Sequence, residues 1–291
     1  MARVLYSLCQ YAHLASVDLA KSNYIDDKPI EAIATQYAAM KAAAAQFFLV
    51  KHVRLSDYFL TFASASKLAM QLKKDQPPWP KNADKYGVII AVADEVSSLE
   101  AHFSTQQSQW HETFQGTVTH CSGRLGKESG PFLVIYTVAG SLDNPHYYQP
   151  MDAYVVPVYS KKLLVPIDSR YERKVLTTLR ERLGWWSENN LNVTIEKPLV
   201  DIEGFNPKTN ESFSVKPDFV LRTNYGAVVL EVMGSHEADY ISRKARLLPD
   251  MQCVGPVIEF DALAAEKNGR RDEHLKEALR ACSRKLFAQA S

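Results

Sequence analysis

The chain has 291 residues, 46 % of them apolar, which is enough for one large core or two ordinary ones. Its 34 Lys and Arg against 33 Asp and Glu exclude a global field drawing it to nucleic acid or to an anionic membrane, so any polyanion must be held by a local patch. Cys9, Cys121, Cys253 and Cys282 form no CxxC pair, the start has no leader pattern, and no run reaches about 18 apolar residues, so a soluble, cytoplasmic protein with reduced, buried thiols is expected.

Residues 29–51 are rich in Ala and long-chain residues, carry Pro in the first turn and lack Gly, and predict a helix. A second helix is expected over 63–74, before the break at DQPPWPKN. The runs 86–94, 113–121, 131–139 and 153–160 are short, rich in Val, Ile and Tyr, and bounded by Gly, Ser, Asn and Asp, as strands are. His102, His111 and His120 recur every nine residues, a spacing that fits neither a helix face nor a zinc-ligand pair and is taken as chance. Residues 1–160 thus read as an N-terminal α+β region.

A second unit, 161–291, opens with a helix over DSRYERKVLTTLRERLGWW. Asp168 or Ser169 is its cap, Val175, Leu176, Leu179 and Leu183 are its apolar stripe, and Gly184 is its end. Trp185 and Trp186 are expected to seal that end against the sheet. Strands follow at 191–204, 213–222 and 227–234, with turns at NPKTNES and TNYG between them. SHEADYISRKARLL is helical with Ser235 as cap, PVIEFDAL is a fourth strand, and an amphipathic helix closes the chain. The order is helix, three strands, helix, strand, helix, giving an α/β (α+β) chain.

The chemistry concentrates in KPDFVLRTNYGAVVLEVMG, residues 216–234. If the two strands form a hairpin around TNYG, Asp218 and Glu231 stand opposite each other. Opposed carboxylates on neighbouring strands repel unless a cation or a proton sits between them, and an all-oxygen pair suits a hard divalent ion such as Mg²⁺ or Mn²⁺. Glu231 and Met233 share a face of their strand. His236, just beyond, reads as a surface residue.

With Pro217-Asp218, twelve intervening residues and then Glu231-Val232-Met233, this region resembles the PD-(D/E)XK nuclease superfamily, and within it a plasmid and integrative-element group. The resemblance covers residues 167–265. It implies a restriction-endonuclease-like αβββαβ core with a mixed sheet, and metal-dependent phosphodiester hydrolysis. The metal ligands it implies are Asp218, Glu231, the Val232 carbonyl and Glu172 on the preceding helix. Met233 departs from the pattern, because that position holds a lysine that orients water and meets phosphate charge. In some members the lysine has moved to the next helix, where Lys244 is the match here and Arg243 the weaker one; Tyr240 shares the face of Lys244. Nucleic acid, DNA before RNA, is the implied partner, with a second copy or a mobile-element protein beside it and no membrane. A catalytically inactive fold that binds DNA or assembles a mobile-element complex is the alternative.

Overall fold

The computed structural model describes residues 1–19, 29–74, 79–80, 83–105, 108–121, 130–140, 144, 146–207 and 209–290. The chain divides into two compact units, one made of Met1–Leu14 and Asp27–Asp168, the other of Ala15–Asp26 and Ser169–Ser291. The second unit therefore draws on residues 15–26 as well as on everything after Asp168.

The first unit holds α1 (Ala2–Tyr11), while β1 (Ser16–Val17) belongs to the second. The helix α2 (Pro29–Ala44) stops short of the expected residue 51. Phe48 and Val50, an aromatic and a β-branched residue that favour strands over helix, flank Leu49 in β2 (Phe48–Val50), which pairs with β3 (Val53–Arg54) instead. After β4 (Phe59–Thr61) comes α3 (Ala65–Lys74); most of the proline-rich break that follows, at 75–78 and 81–82, lies outside the described residues. The strands β5 (Tyr86–Ala93), β6 (Glu95–Val96), β7 (Glu100–Ser104), β8 (Gln109–Thr113), β9 (Val118–His120), β10 (Phe132–Gly140) and β11 (Tyr148–Pro157) complete the unit.

The main sheet of this unit has the order β4-β5-β10-β11-β9. Its centre, β10, runs antiparallel to both neighbours, and the two outer strands run parallel to theirs. Burial of β5 from Gly87 to Ala93 without alternation marks a strand covered on both faces. In the hairpin β7–β8, His102 stands opposite His111 with the rings stacked at 5.9 Å. The nine-residue spacing thus makes His102 and His111 cross-strand neighbours, whereas His120 is buried in β9.

The second unit runs α4 (Arg170–Glu188), β12 (Thr194–Glu196), β13 (Ile202–Asn206), β14 (Glu211–Val215), β15 (Phe219–Thr223), β16 (Gly226–Met233), α5 (Ala238–Val254), β17 (Val257–Asp261), α6 (Ala262–Lys267) and α7 (Arg271–Ala290). The Ser169 hydroxyl accepts the Glu172 N–H at 3.2 Å and caps α4. That helix continues through Gly184, where a Cβ would meet no atom within 4 Å, so glycine there does not end it. Trp186 is buried and donates from Nε1 to Ser283 on α7 at 3.0 Å, while Trp185 is 42 % exposed. Two of the expected strands are each cut in two at a Lys-Pro dipeptide, Lys197-Pro198 and Lys216-Pro217, where proline removes a ladder donor. The pieces β13 and β14 pair with each other as a separate hairpin.

The sheet that remains has the order β1-β12-β15-β16-β17, antiparallel throughout except for the parallel pair β16–β17, and is therefore mixed. Val228, Val229 and Leu230 of β16 are fully buried, each contributing about 1.5–3 kcal/mol of apolar transfer. Gly255 lets the chain pass from α5 into β17, since a Cβ there would stand 2.4 Å from the Ala227 carbonyl oxygen. Cys9 and Cys282 are buried, and burial pushes both thiols up to about 12. Contrary to the expectation of buried thiols, Cys253 is exposed on α5.

Candidate metal and phosphate centre

The hairpin β15–β16 turns through the two residues Asn224 and Tyr225, with Thr223 opposite Gly226 and Phe219 opposite Leu230. One step further from the turn this register sets Asp218 against Glu231. The two strands then hold each other's acids in place. The backbone N–H of Asp218 donates to Glu231 Oε1 at 2.8 Å, and that of Val232 donates to Asp218 Oδ2 at 2.8 Å. Such reciprocal bonds fix both carboxylates without a side chain of either strand moving.

Lys244 rises from α5 into the space between them. Its ammonium donates to Asp218 Oδ2 at 3.0 Å and also to Glu231 Oε2. Tyr240, one turn earlier on α5, donates from its hydroxyl to the Val232 carbonyl at 3.3 Å and so ties the helix to the strand that carries Glu231. Burial, and then the neighbouring charge of Asp218, push the Glu231 carboxyl up to about 7, against the pull of Lys244. Burial works against the charge of Lys244, but the two carboxylates outweigh it and hold its pKa above that of an ordinary lysine. Two carboxylates and one ammonium leave a single negative charge, which a proton or a second cation can neutralise.

Beside this trio lies a cleft of about 110 Å³ between α5 and the β16–β17 edge. Met233, Ile241 and Met251 form an apolar wall, and Glu231, Lys244 and Glu259 supply its charges. Glu259 stands next to Glu231 in the parallel register of β16 and β17. Sequence reading did not single it out, and a parallel neighbour of a functional strand can be found only once that pairing is known.

Glu172 lies elsewhere. Its carboxylate accepts from Lys197 Nζ at 2.8 Å, with both side chains under a tenth exposed. The Lys197 ammonium also stands 5.6 Å from the centre of the Phe219 ring. Among the described residues no three His, Cys, Asp or Glu side chains converge on one metal position, so Glu172 does not extend the Asp218–Glu231 pair into a three-carboxylate set. The signal for Lys197 was in the sequence. Val193, Ile195, Lys197 and Leu199 alternate inward, and Glu172 precedes Val175 and Leu176 on the buried face of α4.

The oxygen donors of the centre fit a hard divalent cation. Asp218 Oδ1 takes no hydrogen bond from any described residue, Glu231 lies beside it, and the Val232 carbonyl is next along the strand. Mg²⁺ is commonly bound by one or two carboxylates plus waters and substrate phosphates, without a full protein cage.

A mixed sheet with this hairpin, followed by a helix that returns a lysine to the paired acids, defines a restriction-endonuclease-like unit. Residues 168–286 match the family model described as restriction endonuclease-like C-terminal domain. Residues 1–158, more than half of the chain, match the model described as Domain of unknown function (DUF8535), and the chain belongs to that family. A protein of Escherichia coli named "Uncharacterized protein in cib 5'region" is 31 % identical over 111 residues, which are 36 % of this chain and 50 % of that protein. The chain thus spans about half the length of the curated relative it matches. Among the described residues no helix is long and apolar enough to cross a membrane.

Proposed function

We propose that the C-terminal unit hydrolyses phosphodiester bonds in nucleic acid, DNA in the first instance, with Mg²⁺ or Mn²⁺ held by Asp218, Glu231 and the Val232 carbonyl. The observation that carries this reading is the convergence of Lys244 on both carboxylates, at the centre where the resemblance demands a lysine and Met233 cannot serve. Bound there, the ion supplies Lewis acidity and lowers the pKa of a water. Lys244 supplies a fixed positive charge for the pentacovalent phosphate, and because the fold positions it in advance, little reorganisation is needed at the moment of reaction. The apolar wall of the cleft keeps water away from one side of the centre and strengthens these charges. Arg243 and Arg246 are exposed on α5 and offer a local basic patch of the kind a nearly neutral chain needs to contact phosphates.

The test is cleavage of single- and double-stranded DNA in Mg²⁺ and in Mn²⁺ by the wild type and by the Asp218→Ala and Glu231→Ala variants. Cleavage by the wild type and loss of at least about 100-fold in each variant is the expected result. If all three proteins leave both substrates uncut, the enzyme reading fails. Met233 favours a second reading, a non-cleaving module that binds DNA, and a wild type that binds DNA but cuts none would select it.

A further inference from the structure

Beyond the C-terminal end of β16 lies a second titratable pair that the centre described above does not use. Met233, the last residue of β16, is the register partner of Asp261, the last residue of β17. Asp261 therefore stands two residues further along than Glu231 and one strand across, about 8 Å from it by the rise and spacing of strands. His236, three residues past Met233, places its Nε2 at 3.0 and 2.9 Å from the two oxygens of Asp261. The carboxylate is itself held, because its Oδ1 accepts the Ala264 N–H at 2.8 Å and caps α6. Imidazole and carboxylate are each partly exposed, and His236 Nδ1 makes no bond to any described residue.

A carboxylate bound to one imidazole nitrogen fixes the ring and aims the other nitrogen outward, where it can pass a proton to a bound group. Open α/β sheets take their ligands at the carboxyl ends of their strands, and this pair sits at that end of the parallel strands β16 and β17, beside the Met233 position. We propose that His236 is a catalytic general acid for the leaving oxygen of the phosphodiester, with Asp261 as its positioning residue. The inference rests on the nuclease reading.

The water oxygen forms its bond to phosphorus, and the bond from phosphorus to the leaving oxygen breaks with its electron pair going to that oxygen. The proton on Nδ1 passes to the leaving oxygen. The proton released by the attacking water returns to the imidazole through solvent, so the enzyme ends as it began. Lys244 stays bonded to the carboxylates and donates no proton. Its role and that of His236 are thereby separable.

The experiment compares two substrates, DNA and bis(p-nitrophenyl) phosphate, whose nitrophenolate leaves without needing a proton. For His236→Gln the expected result is a loss of kcat on DNA of about 100-fold or more, with little change on the nitrophenyl ester. Asp261→Asn keeps an oxygen acceptor for the α6 cap but weakens the contact that orients the His236 ring, and should show the same selective loss to a smaller degree. Equal losses on both substrates, or a cleaving wild type that His236→Gln leaves unaltered on DNA, overturns the proposal and spares the nuclease reading. A wild type that cleaves neither substrate overturns both.

Discussion

Replacing Lys244 by Met removes an ammonium bonded to two acids, of which one, Glu231, is 2 % exposed. The methionine fits the volume but leaves a buried carboxylate without its cation, a change that costs about 3–5 kcal/mol when the carboxylate is ionised. In the wild type burial, and then the charge of Asp218, already push the Glu231 carboxyl up to about 7, so its ionised form disfavours folding as pH rises from the unfolded value through that range. Without Lys244 that pKa climbs further and the destabilisation grows with pH over the same window and beyond it. Thermal unfolding followed by circular dichroism at pH 5 and at pH 8.5 measures this. At pH 8.5 the variant should melt roughly 6–20 °C below the wild type, taking about 2–4 °C per kcal/mol for a chain of this size. At pH 5, where Glu231 can keep its proton, the gap should shrink to less than half. An equal gap at both pH values would show that Lys244 contributes packing alone and would refute the electrostatic account.

Divalent metal should compete with the proton on Glu231, so Mn²⁺ affinity measured by calorimetry should fall as pH drops below about 7, and Asp218→Ala should abolish the binding. Glu172→Gln and Lys197→Met should each lower stability by about 1–3 kcal/mol in urea titrations, because each removes one partner of a buried ion pair; the double variant Glu172→Leu/Lys197→Met should lose less than the sum of the two single ones. Tyr240→Phe, which removes one hydroxyl bond to the Val232 carbonyl, should cost only about 0.5–1.5 kcal/mol in the same titrations and leave metal affinity within a few-fold of the wild type.

Much of the second unit was legible from local rules. The hairpin of β15 and β16 follows from two apolar runs around TNYG, and the placement of Asp218 opposite Glu231 follows from counting residues to that turn. Helix periodicity gave Val175, Leu176, Leu179 and Leu183 as the buried stripe of α4, which they are. The failures share a cause. The strands predicted over 191–204 and 213–222 ignored what Pro198 and Pro217 do to a ladder, and so merged strands of two different sheets. Residues 15–26 join the second unit by β1 pairing with β12, a contact between segments about 180 residues apart that no local pattern announces. The same holds for Glu259 and Asp261, whose place beside Glu231 and Met233 depends on the parallel pairing of β16 with β17. Lys197 was a different kind of omission: its inward position in an alternating run was visible, but a lysine is rarely expected to be buried without its partner being known.

The central claim is that Lys244, reaching back from α5, performs the task that Met233 cannot. A DNA cleavage assay in Mg²⁺ on three proteins tests it most directly: the wild type, Lys244→Met, and the exchanged double variant Met233→Lys/Lys244→Met. The account predicts that the wild type cuts, that Lys244→Met loses at least about 100-fold, and that the exchange restores part of the loss, because Lys at 233 shares the strand face of Glu231 and can deliver its ammonium to the same carboxylates. Cleavage by Lys244→Met at the rate of the wild type would contradict it.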